Sequence, residues 1–213
     1  MKAEIKHRID LKNRTRLEQV IPLETPFVIF VDPSDRCNFS CKFCPTGNKQ
    51  LMKDTGRPLK AMTFDLFKKI VDDISEFEKP VKVLRLYKDG EPLLNPKFAD
   101  MIKYAKDNPR ITSVDTTTNA SLLSPKKNLE IISAGLDRIN ISVEGLSNKQ
   151  YQEFSNYRIN FDQFVENIRH FYEHRNQCEV IIKINGDVIS DDDRKRFYEI
   201  FQDIADGMSI EHV

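Results

Sequence analysis

The chain has 213 residues, and its 33 Lys and Arg balance 33 Asp and Glu. A formal net charge of zero removes the field that draws proteins to phosphate backbones, which argues against a nucleic-acid partner. The longest apolar run, Phe27 to Val31, is far too short to span a bilayer, and the start MKAEIKHRID has charges where a signal peptide needs apolar residues. A cytoplasmic protein with no membrane partner is expected, of a length that suits one domain, or one domain with a fragment of a second.

Residues 1–25 read as an N-terminal extension, and a core domain is expected over 26–213. PFVIFVD (Pro26 to Asp32) is an apolar run bounded by prolines, too short for a helix, and reads as a buried strand. The stretch from Pro45 to Ala61 is polar, contains Gly47, Gly56 and Pro58, and reads as a loop. Thr63 is an N-cap residue type, and Phe64, Phe67, Ile70, Val71, Ile74 and Phe77 follow at helix spacing on one face. VKVLRLY (Val81 to Tyr87) reads as the second strand. Asn95-Pro96 opens a helix to about Lys106, with Pro96 at a favoured first position.

Ile111 to Thr117 is β-branched and reads as the third strand. Ser124-Pro125 starts another helix, which Gly135 ends. DRINISV (Asp137 to Val143) is the fourth strand. Phe164, Ile168 and Phe171 share one face of a helix over Phe161 to Arg175. EVIIKI (Glu179 to Ile184) is the fifth strand. Ser190 and the acidic run Asp191 to Asp193 start a helix to about Ala205, the charges suiting the helix dipole. Met208 to Val213 is the sixth strand. Strands alternating with helices mean βαβ units and a parallel sheet, either open and doubly wound or a partial barrel. In both cases chemistry belongs at the C-terminal ends of the strands.

That rim is expected to gather polar residues from five strand ends. CNFSCKFC follows the first strand and holds Cys37, Cys41 and Cys44, three of the four cysteines of the chain. Lys88-Asp89-Gly90-Glu91-Pro92 follows the second, Thr118-Asn119 the third. Ser142, Glu144 and Gly145 end the fourth, and Asn185-Gly186 the fifth. Three thiolates from one loop are soft ligands that suit zinc or an iron–sulfur cluster. Structural zinc takes four ligands, and His7, His170, His174 and His212 show no pairing with the loop. Cys178 precedes the fifth strand, at the opposite end of the sheet, and reads as a core thiol. Three ligands suit a cubane whose fourth iron binds something else.

CNFSCKFC resembles the C-x3-C-x2-C loop of the radical S-adenosylmethionine (radical SAM) superfamily. Asp89-Gly90-Glu91-Pro92 is similar to that family's Gly-Gly-Glu-Pro motif, with Asp89 in place of the first glycine. Thr118-Asn119-Ala120 resembles its Thr-Asn-Gly, and Ser142-Val143-Glu144-Gly145 its Ser-x-Asp-Gly, with Glu144 for the aspartate. The resemblance implies a partial (β/α)6 TIM-like barrel, a [4Fe–4S] cluster on Cys37, Cys41 and Cys44, and S-adenosylmethionine as co-substrate. An electron from the reduced cluster would cleave the sulfonium, and the resulting 5′-deoxyadenosyl radical would abstract hydrogen from a substrate.

By the same resemblance, Gly90, Glu91 and Pro92 take the ammonium of the cofactor, with Gly90 allowing close backbone approach. Phe43 packs beside the adenine, Asn119 and Ser142 contact the ribose or carboxylate, and Glu144 reaches the ribose hydroxyls. Arg158 is a candidate grip on the carboxylate but reads better as a surface charge. The wording CPTG and DGEPLLNP resembles members with a cysteine-rich SPASM extension, which act on peptides, proteins or carbohydrate-derived substrates. That extension is expected to be absent or truncated here. A reductant such as flavodoxin or ferredoxin is implied. The competing readings are a non-catalytic iron–sulfur or zinc-binding module for electron transfer or regulation, and a tRNA-modifying radical enzyme, against which the neutral charge argues.

Overall fold

The computed structural model describes residues 2–5, 15–187 and 189–212. The six expected strands are all present. They are β2 (Val28–Phe30), β3 (Val83–Arg85), β4 (Val114–Thr118), β5 (Arg138–Val143), β6 (Glu179–Asn185) and β7 (Gly207–Glu211). A short β1 (Glu4–Ile5), inside the stretch expected to be an extension, pairs with β7. Among the described residues the sheet runs β1-β7-β6-β5-β4-β3-β2, and every pairing is parallel. Neighbours in sequence are neighbours in the sheet from β2 to β7, which is the winding of a partial (β/α)6 barrel. His7, Val213 and most of the charged N-terminal stretch lie outside the described residues.

One face of this sheet makes the core. Leu84, Val114, Ile139, Ile141, Ile182 and Met208 are buried beneath the helices. Helix α2 (Phe64–Ile74) meets them with Phe67, Val71 and Ile74, and α3 (Phe98–Lys106) with Met101, Ile102 and Ala105. Helix α4 (Pro125–Ser133) supplies Ile131 and Ile132, α6 (Phe161–His174) Phe164, Ile168 and Phe171, and α7 (Asp191–Phe201) Phe197 and Phe201. Each fully buried side chain of this size contributes roughly 1.5–3 kcal/mol of transfer free energy. The caps behave as their residue types dictate. Thr63 accepts from the Leu66 N–H, Ser124 from Lys127, and Ser190 forms a capping box with Asp193. Gly135 follows α4 at φ +92°, where a side chain would strain the backbone.

Two helices were not legible. Within the expected loop, α1 (Lys49–Asp54) is capped by Asn48, whose side chain accepts from the N–H groups of Gln50 and Leu51. Helix α5 (Asn148–Ser155) follows β5 and buries Tyr151 and Ser155. Both bury so little that no apolar stripe marks them. Helix α3 starts at Phe98 rather than Pro96, because Pro92–Leu94 forms a 3-10 turn and Asn95 closes it. The buried Asn95 amide donates to the carbonyls of Pro33 and Met62 instead of capping α3. Helix α7 stops at Phe201, short of Ala205.

Candidate active site at the strand ends

The segment after β2 carries the three clustered cysteines, and it is held by elements distant in sequence. The N–H groups of Ser40 and Lys42 donate to the carbonyls of Ser155 and Phe154 at the end of α5. Buried Phe39 packs against Tyr157 and edge-on to Tyr151. Gly47 closes the loop, since a Cβ there would stand 2.6 Å from the Cys41 carbonyl oxygen. Cys37, Cys41 and Cys44 are half-buried and unbridged. The Phe39 N–H points at Cys37 Sγ at 3.4 Å, and Asn119 Nδ2 at 3.8 Å. Burial pushes the Cys37 thiol up to about 11. Burial raises Cys41 further, with Glu144 and the other two cysteines adding to it, so the three thiols share one electrostatic neighbourhood.

The loop after β3 braces this segment rather than facing open space. A Cβ on Gly90 would lie 1.9 Å from the Ser34 carbonyl oxygen and 2.7 Å from that of Arg36. The close approach at Gly90 is therefore to the chain leading into the cysteines. The Glu91 N–H donates to the Arg36 carbonyl at 2.8 Å. The Glu91 carboxylate is buried and caps the 3-10 turn through the Leu93 N–H. It also accepts from Thr118 Oγ1 at 2.7 Å and from the Asn119 N–H at 2.8 Å, joining the ends of β3 and β4. Burial pushes its pKa up, and those donors and Lys127 oppose the shift. Pro92 is buried as the first residue of the turn. Asp89, at the position of a family glycine, pairs with Arg57 at 3.3 Å, and its carbonyl accepts from Thr46 Oγ1.

Asn119 carries the brace onward. Its Nδ2 donates to Asn38 Oδ1 at 2.9 Å, and its Oδ1 accepts from Ser121. Asn38 Nδ2 in turn donates to Ser121 Oγ. On the other side of the loop, Phe43, Ser142 and Glu144 line one cavity with Lys183, Asn185 and Glu211. Phe43 is exposed beside it. Burial pushes the Glu144 carboxyl up to about 7, and Lys183 partly offsets this. Arg158 is exposed, as a surface charge should be. Cys178 is buried at the far end of the sheet with its thiol pushed up to about 12 by burial.

A family model described as the Radical SAM superfamily matches residues 31–204. The chain belongs to the radical SAM superfamily. It is 30% identical over 127 residues to a GTP 3′,8-cyclase of Clostridium acetobutylicum, covering 60% of this chain and 37% of that protein. It is also 30% identical over 122 residues to the tungsten-containing aldehyde ferredoxin oxidoreductase cofactor-modifying protein of Pyrococcus furiosus, covering 57% and 32%. Streptococcus suis SuiB bound to S-adenosylmethionine shares the fold, with a TM-score of 0.69 at 16% identity over 92% of this chain and 44% of SuiB. The chain thus spans less than half the length of these relatives.

The radical SAM family carries a [4Fe–4S] cluster and S-adenosylmethionine, and the donor set here fits the cluster. Three thiols occur on one short loop with no disulfide among them. Two N–H groups already point at Cys37 Sγ, the kind of donor that tunes cluster thiolates. Among the described residues, no three His, Cys, Asp or Glu side chains are already drawn to one point. Raised thiol pKa values agree with that, because thiolate forms when metal displaces the proton. Sequence reasoning singled out the cysteines but not Gly47, Asn38 or Lys183. Gly47 and Asn38 stand in CPTG and CNFSC, and Lys183 is the one cation in EVIIKI, so each had a local signal.

Proposed function

We propose that this chain is the catalytic core of a radical SAM enzyme acting in the cytoplasm, with Cys37, Cys41 and Cys44 holding the cluster. Bound there, the cluster would supply the electron for reductive cleavage of the S-adenosylmethionine sulfonium, and the three thiolates would hold it at the strand ends. The observation that carries this reading is the bonded path from Cys37 through Asn119 to Glu91, which ties the cysteine loop to the ends of β3 and β4. Gly90, Glu91 and Pro92 set the shape of the rim there. They act on the cofactor's amino acid part through the cysteine segment they brace, and the Glu91 side chain holds the rim together. Phe43, Ser142 and Glu144 lie on the β5 side, where the adenosine part belongs. Glu144 and Ser142 offer oxygen acceptors to the ribose hydroxyls, and Phe43 an apolar face to the base. The substrate is peptide, protein or carbohydrate-derived, and flavodoxin or ferredoxin serves as reductant.

The test is anaerobic reconstitution followed by dithionite and S-adenosylmethionine. The unaltered chain is expected to release 5′-deoxyadenosine slowly, and Cys41→Ala to release none. An iron-loaded chain whose paramagnetic spectrum ignores S-adenosylmethionine and which yields no 5′-deoxyadenosine would make it a non-catalytic iron–sulfur module.

A further inference from the structure

The stretch that holds the three cysteines is the basic part of an otherwise acidic chain. From Arg36 to Lys60 the cations are Arg36, Lys42, Lys49, Lys53, Arg57 and Lys60, and the one anion is Asp54. The whole chain is neutral, so the remainder is net negative. All of these cations except Arg57 are exposed. Among the described residues, Arg57 is held by Asp89 at 3.3 Å, and the other five are in no ion pair. Asp54 is occupied by Gln50 Nε2, which donates to it at 2.9 Å.

The same stretch is open beside Cys37. Helix α5 covers the cysteine segment at Ser40 and Lys42, and the chain at Gly90 covers it at Ser34 and Arg36. Toward α1 a cavity of about 320 Å³ remains, lined by Cys37, Met52 and Leu59 together with Arg36, Lys49 and Lys53. Leu59 is 36% exposed, and Leu51 of α1 is 41% exposed. Apolar residues set among cations are the make-up of a protein docking surface. The buried liners, Phe39 and Met52, are apolar, so no buried polar group is there to fix a small ligand. Phe39 is packed against Tyr157 and Tyr151, which leaves no free ring in the lining for a nucleic-acid base to stack on. The surface therefore suits an acidic protein, and directly behind it lies a cysteine of the cluster loop.

We propose that the α1 side of the cysteine segment is the docking surface for the protein that reduces the cluster, a small acidic carrier of the flavodoxin or ferredoxin type. The inference rests on the radical SAM reading and gives its reductant a place on the molecule. One electron leaves the reduced flavin or iron–sulfur centre of the carrier, which is oxidised, and enters the cluster on Cys37, Cys41 and Cys44, which is reduced. No proton or group moves with it. Lys49 and Lys53 steer the carrier, and Leu51 and Leu59 give the small apolar contact of a brief electron-transfer encounter.

The experiment titrates the cluster-loaded chain anaerobically, by calorimetry, with an acidic flavodoxin and an acidic plant-type ferredoxin. An oligo-glutamate peptide and a single-stranded RNA are run beside them. At least one carrier is expected to bind more tightly than the peptide and the RNA. Lys49→Glu with Lys53→Glu changes two exposed side chains, so iron content is expected to stay as in the unaltered chain. The double variant should weaken carrier binding about tenfold, and so should raising the salt to about 0.5 M. Dithionite is small and needs no docking surface. Release of 5′-deoxyadenosine driven by dithionite should therefore be unchanged in the double variant, while release driven by the reduced carrier falls about tenfold. Absence of binding by both carriers, tighter binding of the RNA or the peptide, or carrier binding indifferent to the charge reversal would each overturn the proposal. Dithionite-driven release by the unaltered chain judges the radical SAM reading separately.

Discussion

Replacing Glu91 separates a bracing role from direct cofactor contact. Its Oε1 accepts from the Leu93 N–H at 2.9 Å and Thr118 Oγ1 at 2.7 Å, and its Oε2 from the Asn119 N–H at 2.8 Å. The Thr118 oxygen itself accepts from the Ala120 N–H, so its proton is committed to Glu91. In Glu91→Gln the amide oxygen can replace Oε1, but its NH2 then faces the Asn119 N–H. One buried donor left facing another costs roughly 1–3 kcal/mol. Glu91→Ala strips the acceptor from all three donors and opens a cavity, for a loss on the order of 5 kcal/mol. Against a total stability of about 5–15 kcal/mol, the alanine variant should be near unfolding. Guanidinium unfolding of the cluster-free chain, with iron content after reconstitution, measures both effects. The expected order of stability is wild type, then glutamine, then alanine, with iron loading falling in step. The bracing role is wrong if Glu91→Gln unfolds at the wild-type midpoint and loads iron normally, yet binds S-adenosylmethionine about tenfold more weakly.

Iron and sulfide analysis should find about four irons per reconstituted chain. Cys37→Ala, Cys41→Ala and Cys44→Ala should abolish the cluster, and Cys178→Ala should keep it. Loss of iron in the Cys178 variant would contradict the assignment. Gly90→Ala puts a methyl group against the Ser34 and Arg36 carbonyls. Thermal midpoint and iron loading should therefore fall together, and a variant that keeps both would show that the backbone yields freely. Glu144 has a folded pKa of about 7 against an ordinary 4.5, so the folded chain holds a proton that the unfolded chain has released. Stability of the cluster-free chain should therefore fall as pH rises from about 4.5 through about 7, by on the order of 3 kcal/mol. Glu144→Gln should flatten that slope in unfolding measurements, leaving the part that buried Glu91 and half-buried Asp32 contribute in the same sense, and an unchanged slope would assign it to those other groups.

Sequence alone determined what depends on neighbours a few residues apart. The short apolar runs set the strands β2 to β7, and the stripes set the main helices, because burial selects periods of 2 and 3.6 locally. Three cysteines within eight positions declared a soft-ligand site for the same reason. Tertiary structure decided what each motif residue touches. Gly90 reads as room for a ligand until the fold fills that room with Ser34 and Arg36. Glu91 reads as a cofactor contact, yet its carboxylate is taken up by Thr118 and Asn119 from the next strand end. The support of the cysteine loop by α5 was equally hidden, since Ser40 and Ser155 are far apart in the sequence and meet only once β2 to β5 are joined in one sheet. The alternation in VDTTT, RINISV and EVIIKIN was visible all along. Only the parallel register showed that Thr117, Lys183 and Ser209 fall on one face, because a shift of one residue would send each of them to the other side.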